Sequence, residues 1–283
     1  MKKSVIAMFA WAVASVAMAQ SEKDPKVWGW DFPMYMEINV EAGQQALTCQ
    51  RHYFDTVKEG EGVVKKSMIW YDTTIAEPGQ EKTAIDDYGD KILVPNTLII
   101  PLAKDAKAKK GDILLTHSRY HEMQRAIVID ASNPAEPVVC FLDDSWPGKV
   151  DSSELPEKLK GEQLKAGSFN VIKEGTFVSG AQVAYKSGSE WKFGIILQVS
   201  GDKLLVSGFA SRIECVAQAD CTLIPFNEKI KEGDKVSCVS SDCYESGYKV
   251  VKVDMEHGHV WVQYEGSSYT HCYGLPIVTK VLQ

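Results

Sequence analysis

The sequence predicts an all-β protein made of tandem small β-barrels behind a β-rich N-terminal region. Three observations carry that prediction. From Trp191 to Val199 large apolar residues alternate with Lys192, Gly194, Ile196 and Gln198, the period of two expected of a strand with one buried face. Ser200-Gly201-Asp202-Lys203 then turns the chain back onto Leu204-Leu205-Val206, since glycine supplies the backbone of a tight hairpin and aspartate bonds its own main chain. Finally, the same order of features recurs three times. Lys109 to Leu114, Val178 to Val183 and Lys231 to Val236 each place a turn glycine before a strand, and a Leu-Pro or Ile-Pro step follows the opening glycine by 45, 45 and 43 residues.

Taken in order, Lys2 and Lys3 precede an apolar run from Val5 to Met18, and Ala17-Met18-Ala19 offers a small-x-small cleavage pattern, so residues 1–19 are expected to be a secretory signal peptide. The run is too short to span a bilayer, which needs about 20 apolar residues. An exported protein, periplasmic or extracellular and bacterial, with no transmembrane segment after cleavage, is the expectation. Losing two lysines takes the formal charge from −7 to −9, which argues against nucleic acid as a partner. Hydrophobic residues at 45% and charged residues at 24% mark an ordinary globular chain.

Residues 20–105 form the β-rich N-terminal region. It opens on the aromatic cluster Trp28, Trp30, Phe32 and Tyr35, expected to pack as an arm on the next domain. Uneven β-rich runs follow, and Gly43 before a strand with Leu93-Val94-Pro95 later make a degenerate fourth copy of the repeat. The basic stretch Ala103 to Lys110 is expected to be a short linker or helical turn at a domain boundary. Barrel 1 is then expected over 106–172, barrel 2 over 173–229 and barrel 3 over 230–283. Units of this size bury a core only by curling the sheet, and docking of neighbours or a disulfide supplies the missing stability.

The seven cysteines all lie beyond the leader. In an oxidising compartment Cys215 with Cys221, and Cys238 with Cys243, are close enough in sequence to staple a hairpin or loop, and the odd number leaves one thiol over; a four-cysteine zinc site, which lacks the usual two-residue spacing, and buried free thiols are the competing readings. No metal or other cofactor is expected: the spacing of His117 and His121 supplies no clear third ligand, and Asp86-Asp87-Tyr88-Gly89-Asp90 lacks the alternation of a calcium loop. Neither a phosphate-binding glycine loop nor a serine nucleophile elbow occurs.

The order of turn glycine, strand, aromatic-rich hairpin such as Trp191-Lys192-Phe193-Gly194-Ile195-Ile196, glycine turn, strand and closing Leu-Pro resembles the tandem SH3-like barrels of the Tudor and Agenet group, over about residues 106–283. That group often holds methylated lysine or arginine in an aromatic cage. The resemblance implies Tyr185, Trp191, Phe193 and Phe209 as the ligand-binding candidates of one barrel, and Tyr248, Tyr264 and Tyr269 as those of the next. Burial is the competing fate of Trp191 and Phe193, which lie on the alternating face, whereas Tyr185, Tyr244, Tyr248 and Tyr269 are expected to be exposed. The function read from this is a non-enzymatic binding or scaffold protein for a peptide, a glycan or cell-envelope material. Two alternatives stand beside it. One is a thiol-dependent or hydrolytic enzyme, which needs Cys49 or Cys140 reactive beside His52, His117 or His121. The other is a purely structural spacer.

Overall fold

The computed structural model describes residues 31–33, 35–49, 68–87, 89–143, 149–150, 153 and 155–282. The leader, Trp28, Trp30 and His52 lie outside those residues. The described chain is nearly all β and resolves into four five-stranded antiparallel units. The first holds β1 (Gln45–Cys49), β2 (Trp70–Glu77), β3 (Lys82–Asp87), β4 (Asp90–Pro95) and β5 (Ile99–Pro101). The second holds β6 (Ile113–His117), β7 (Met123–Asp130), β8 (Val138–Phe141), β10 (Glu162–Gln163) and β11 (Asn170–Val171), with β9 (Lys149–Val150) and the short helix α1 (Leu155–Lys158) inserted before β10. The third runs through β12 (Gln182–Ser187), β13 (Glu190–Ser200), β14 (Lys203–Ser207), β15 (Ile213–Ala217) and β16 (Cys221–Ile224). The fourth runs through β17 (Lys235–Ser240), β18 (Cys243–Asp254), β19 (His259–Tyr264), β20 (Thr270–Gly274) and β21 (Val278–Thr279).

Every unit has one strand order: fourth, third, second, first, fifth. The first strand therefore pairs on one side with the second and on the other with the last, which curls the sheet and shortens its open edge. One local device recurs with it. Gly43, Gly111, Gly180 and Gly233 have φ of 81°, 87°, 88° and 89°, a region costly for any side chain. Their amides donate to Ile75, Val128, Ile196 and Val250, and each second strand carries a register shift just after that acceptor. The bulge bends the long second strand across both halves of its unit. By this measure residues 43–101 are a full repeat, which their uneven sequence had shown only faintly.

The Leu-Pro steps are a different matter. Pro156 lies in helix α1 and Pro225 just after β16, while Pro276 sits between β20 and β21, so the three closings are not equivalent. Strand spacing in the second unit is stretched by its insertion, and the near-constant distances were coincidental. The cysteine pairs also need correction. All seven cysteines are free thiols. Cys238 points into the core of the fourth unit, whereas the Cys243 thiol meets the carboxylates of Glu190 and Asp242 at 3.5 and 3.4 Å, so the pair diverges across the hairpin. Cys215 and Cys221 donate instead to the carbonyls of Asp31 and Ala217.

The four units dock on one another rather than hanging as beads. One core cluster joins Leu47, Ile75 and Leu98 of the first unit to Leu115 and Ile127 of the second and Ile196 and Leu204 of the third. Phe32 of the N-terminal arm is buried in it, in keeping with an arm that packs. The third and fourth units touch through a pairing of Lys192 with Cys243, and β20 pairs with the inserted β9 of the second. Polar ties cross the same seams. Asn170 accepts from the Ala103 amide and donates to the Pro101 carbonyl, and the Gln198 side chain donates to the Ile99 carbonyl at 2.6 Å.

His259, on β19, is fully buried, and burial holds its imidazole below the ordinary histidine value of 6.5, opposed by the His257 backbone and the Asp254 carboxylate. The folded protein takes up this proton less readily than the unfolded chain. Its stabilising contribution is therefore complete above pH 6.5 and drains away as pH falls below that value. The urea midpoint is expected to drop between pH 7.5 and about 5.5, above the carboxylate range. His259→Leu should flatten that slope; an equally steep slope in the variant would place its origin elsewhere.

Candidate functional site

At one end of the fourth unit the barrel core stays open to solvent. Val236, Tyr248 and Tyr264 lie opposite one another on β17, β18 and β19 and form one cross-strand row. Val236 is buried, Tyr248 half-buried and Tyr264 exposed, so the row runs from the core outward. The two tyrosine rings meet edge to face, with centroids 5.0 Å apart and planes at 70°, a favourable arrangement for aromatic quadrupoles. Together they form a corner, not a flat platform.

The rest of the cleft comes from two turns. Gly247 has φ +97° at the bulge between β17 and β18, and a Cβ there would stand 3.2 Å from the Tyr264 ring. Glycine thus supplies the backbone shape and the room for the ring to lie against the strand. Across from it the Glu265 amide donates to the Gly247 carbonyl at 2.8 Å, and the Ser267 amide to the Tyr264 carbonyl at 3.0 Å. The Gln263 side chain donates to the Ser267 carbonyl at 2.5 Å and fixes the turn that carries Tyr264. The resulting cleft has a volume of about 680 Å³, and Lys235, Lys249 and Glu265 stand on its wall. That is the size of a small-ligand or side-chain pocket. Burial raises the Tyr248 hydroxyl above its ordinary value, so it stays a neutral donor.

The other sequence candidates are scattered. Tyr185 and Phe193 are buried, Tyr185 in the core of the third unit and Phe193 at its seam with the fourth, because they project from opposite faces of the β12–β13 pair and both faces are covered; burial raises the Tyr185 hydroxyl strongly. Neither lines a cage. Tyr244, expected to be exposed, is buried as well and bonds to Gln182. Trp191 is half-buried and already carries the Lys186 ammonium over its ring, at 5.2 Å. Phe209 is exposed on the 3₁₀ turn Phe209–Ser211, and Tyr269 is 75% exposed in the turn before β20 without lining the cleft. Of the seven candidates, Tyr248 and Tyr264 alone are brought together on an open surface. Their glycine and lysine companions were missed, and the one sequence signal for them was Gly247 interrupting a strand pattern.

The cysteines needed by a thiol enzyme are poorly placed. Cys49 is buried and its thiol is pushed up to about 12, and Cys140 is buried beneath α1 with its thiol directed at the Lys158 carbonyl. A nucleophilic cysteine requires the opposite shift. The histidines, by contrast, do find a partner that sequence spacing did not offer: His117 and His121 converge on Asp72 of β2 in the first unit.

No helix among the described residues is long and apolar enough to cross a membrane. No protein-family model matches this chain, and no curated protein matches it. Among solved structures it is similar to the four MBT repeats of Drosophila melanogaster Sfmbt in complex with the peptide RHR(me)KVLR, at 10% identity over 85% of this chain and 88% of that one. The TM-score of that likeness is 0.17.

Proposed function

We propose that the chain is an exported, non-enzymatic recognition protein that binds a peptide through the Tyr248–Tyr264 cleft. The observation that carries this reading is the open aromatic corner at the end of the fourth unit, in a fold whose other large aromatics are mostly buried or already covered. A corner of two perpendicular rings encloses a protruding side chain, whereas a sugar stacks on one flat face. The wall carries both signs, Lys235 and Lys249 with Glu265, which suits a peptide of mixed polarity better than a uniformly charged polymer. Export rests on Lys2, Lys3 and the apolar run that follows them. The glycan and spacer readings lack an observation of this kind.

The test is a peptide-library screen against the folded protein, followed by titration of the selected sequences. Tyr248→Ala and Tyr264→Ala are each expected to weaken binding by about 5- to 30-fold, the range of a central aromatic contact. Phe209→Ala, which removes an exposed ring from a different unit, should leave it unchanged. Selected peptides that bind the double tyrosine variant as well as wild type would refute this site.

A further inference from the structure

We infer that Asp72, His117 and His121 form a binding site for one divalent transition-metal ion, clasped between the first and second units. The three side chains offer ligand atoms that all lie within 4.8 Å of one another. His121 Nδ1 is 2.9 Å from one Asp72 carboxylate oxygen and His117 Nδ1 is 3.9 Å from the other, so the carboxylate lies between the imidazoles. The rings are stacked almost parallel, 8° apart with centroids separated by 6.4 Å. Bonds of about 2.0–2.2 Å to a tetrahedral ion place neighbouring ligand atoms about 3.3–3.6 Å apart, a spacing these side chains reach by small rotations.

The backbone holds the set in place independently of any ion. The Asp72 amide donates to the His121 carbonyl at 2.9 Å, and Tyr71 and Glu122 form an isolated antiparallel bridge, so β2 is tied directly to the turn between β6 and β7. In that turn the Ser118 amide bonds to the Glu122 carbonyl and the His121 amide to the Ser118 carbonyl. His121 takes φ +72°, a conformation uncommon outside glycine, which turns its ring back toward Asp72.

The donor set decides the class of ion. Two imidazoles and one carboxylate suit Zn²⁺, Co²⁺, Ni²⁺ or Fe²⁺, whereas calcium and magnesium prefer oxygen alone. Asp86 and Asp87 line the adjoining cavity of about 250 Å³ with Asp72 and His121, adding negative potential where a dication would sit. Three protein ligands leave at least one position open, and His121 is exposed, so that position faces solvent. The site requires both units in their docked arrangement. It is separate from the tyrosine cleft and does not depend on that reading.

The decisive experiment is titration of the full-length, chelator-treated protein with Co²⁺, then competition with Zn²⁺. One equivalent should bind and give weak visible d–d bands without the intense near-ultraviolet thiolate charge transfer, and Zn²⁺ should displace it. Asp72→Asn, His117→Gln and His121→Gln should each weaken binding by at least tenfold. Zn²⁺ should raise the melting temperature of the wild type and not that of Asp72→Asn, whose fold is checked by circular dichroism. Three results would overturn the assignment: no stoichiometric binding, undiminished binding in all three variants, or a thiolate band marking a cysteine site.

Discussion

Asp143→Ala is expected to destabilise the folded protein by about 3–5 kcal/mol, the cost of removing one partner from a buried ion pair. Arg125 is a fully buried side chain on β7, and Asp143 receives its guanidinium on both carboxylate oxygens, at 2.6 and 2.8 Å. The same carboxylate accepts the Arg125 backbone amide at 2.9 Å. The remaining guanidinium nitrogen donates to the Gln182 side chain at 2.7 Å, Gln182 is linked to the Tyr244 hydroxyl at 3.0 Å, and the Phe226 ring lies 5.5 Å from the guanidinium carbon. One buried charge is thus shared by the second, third and fourth units. Removing the carboxylate strands a desolvated cation among them, and Gln182 cannot neutralise it. Arg125→Met with Asp143→Asn removes both charges and keeps an acceptor for the backbone amide, so the double variant should be more stable than Asp143→Ala alone. Urea unfolding of the three proteins checks this. An unshifted midpoint for Asp143→Ala would mean that the network contributes nothing to docking.

Gly180→Ala is expected to cost about 3 kcal/mol or more, and Gly233→Ala about 1–2 kcal/mol, although the two glycines occupy equivalent turns with nearly equal φ. The common part is the penalty for a side chain at positive φ. The difference is space. A Cβ at Gly233 meets nothing within 4 Å, whereas one at Gly180 would stand 2.7 Å from Ile172 Cδ1 and 3.0 Å from Leu115 Cβ, where the third unit packs on the second. Ile172 and Leu115 both belong to the large shared core, so neither yields without disturbing it. Thermal or urea midpoints of the two variants make the comparison. Equal losses would show that backbone strain alone matters at these turns and that the seam between units two and three is loose.

These two sites also separate what the chain's letters reveal from what its folding adds. Alternation from Trp191 to Val199, turn glycines at 111, 180 and 233 and the hairpin at Gly201 are local signals. A period of two and a positive φ depend on a few neighbouring residues, so strands and repeat openings could be read directly. The first repeat was faint because its first strand, ending at Cys49, is far along the chain from its second, which begins at Trp70. The Leu-Pro closings misled because a constant distance along a chain does not fix a position in a sheet once one unit carries an insertion.

Aromatic side chains show the limit most clearly. Tyr185 and Tyr248 look alike in sequence, each within a β-rich stretch with charged neighbours, yet one lies in a core and the other at its open end. Which happens depends on where the next unit docks, a contact between residues far apart in the chain. The same holds for the cysteine pairs, whose near spacing says nothing about which way each thiol points across a bulged hairpin. Arg125 gave no sequence sign of being buried, because its partners Asp143, Gln182 and Phe226 come from three separate stretches. Asp72 reaches His121 across 49 residues, and no spacing rule spans that distance. The sequence by itself determined the strands, the turns and the all-β class, since those follow from local backbone geometry and alternation. Tertiary structure alone decided the docking of four units, the open tyrosine corner and the histidine–aspartate cluster, because each is made by side chains that only long-range packing brings together.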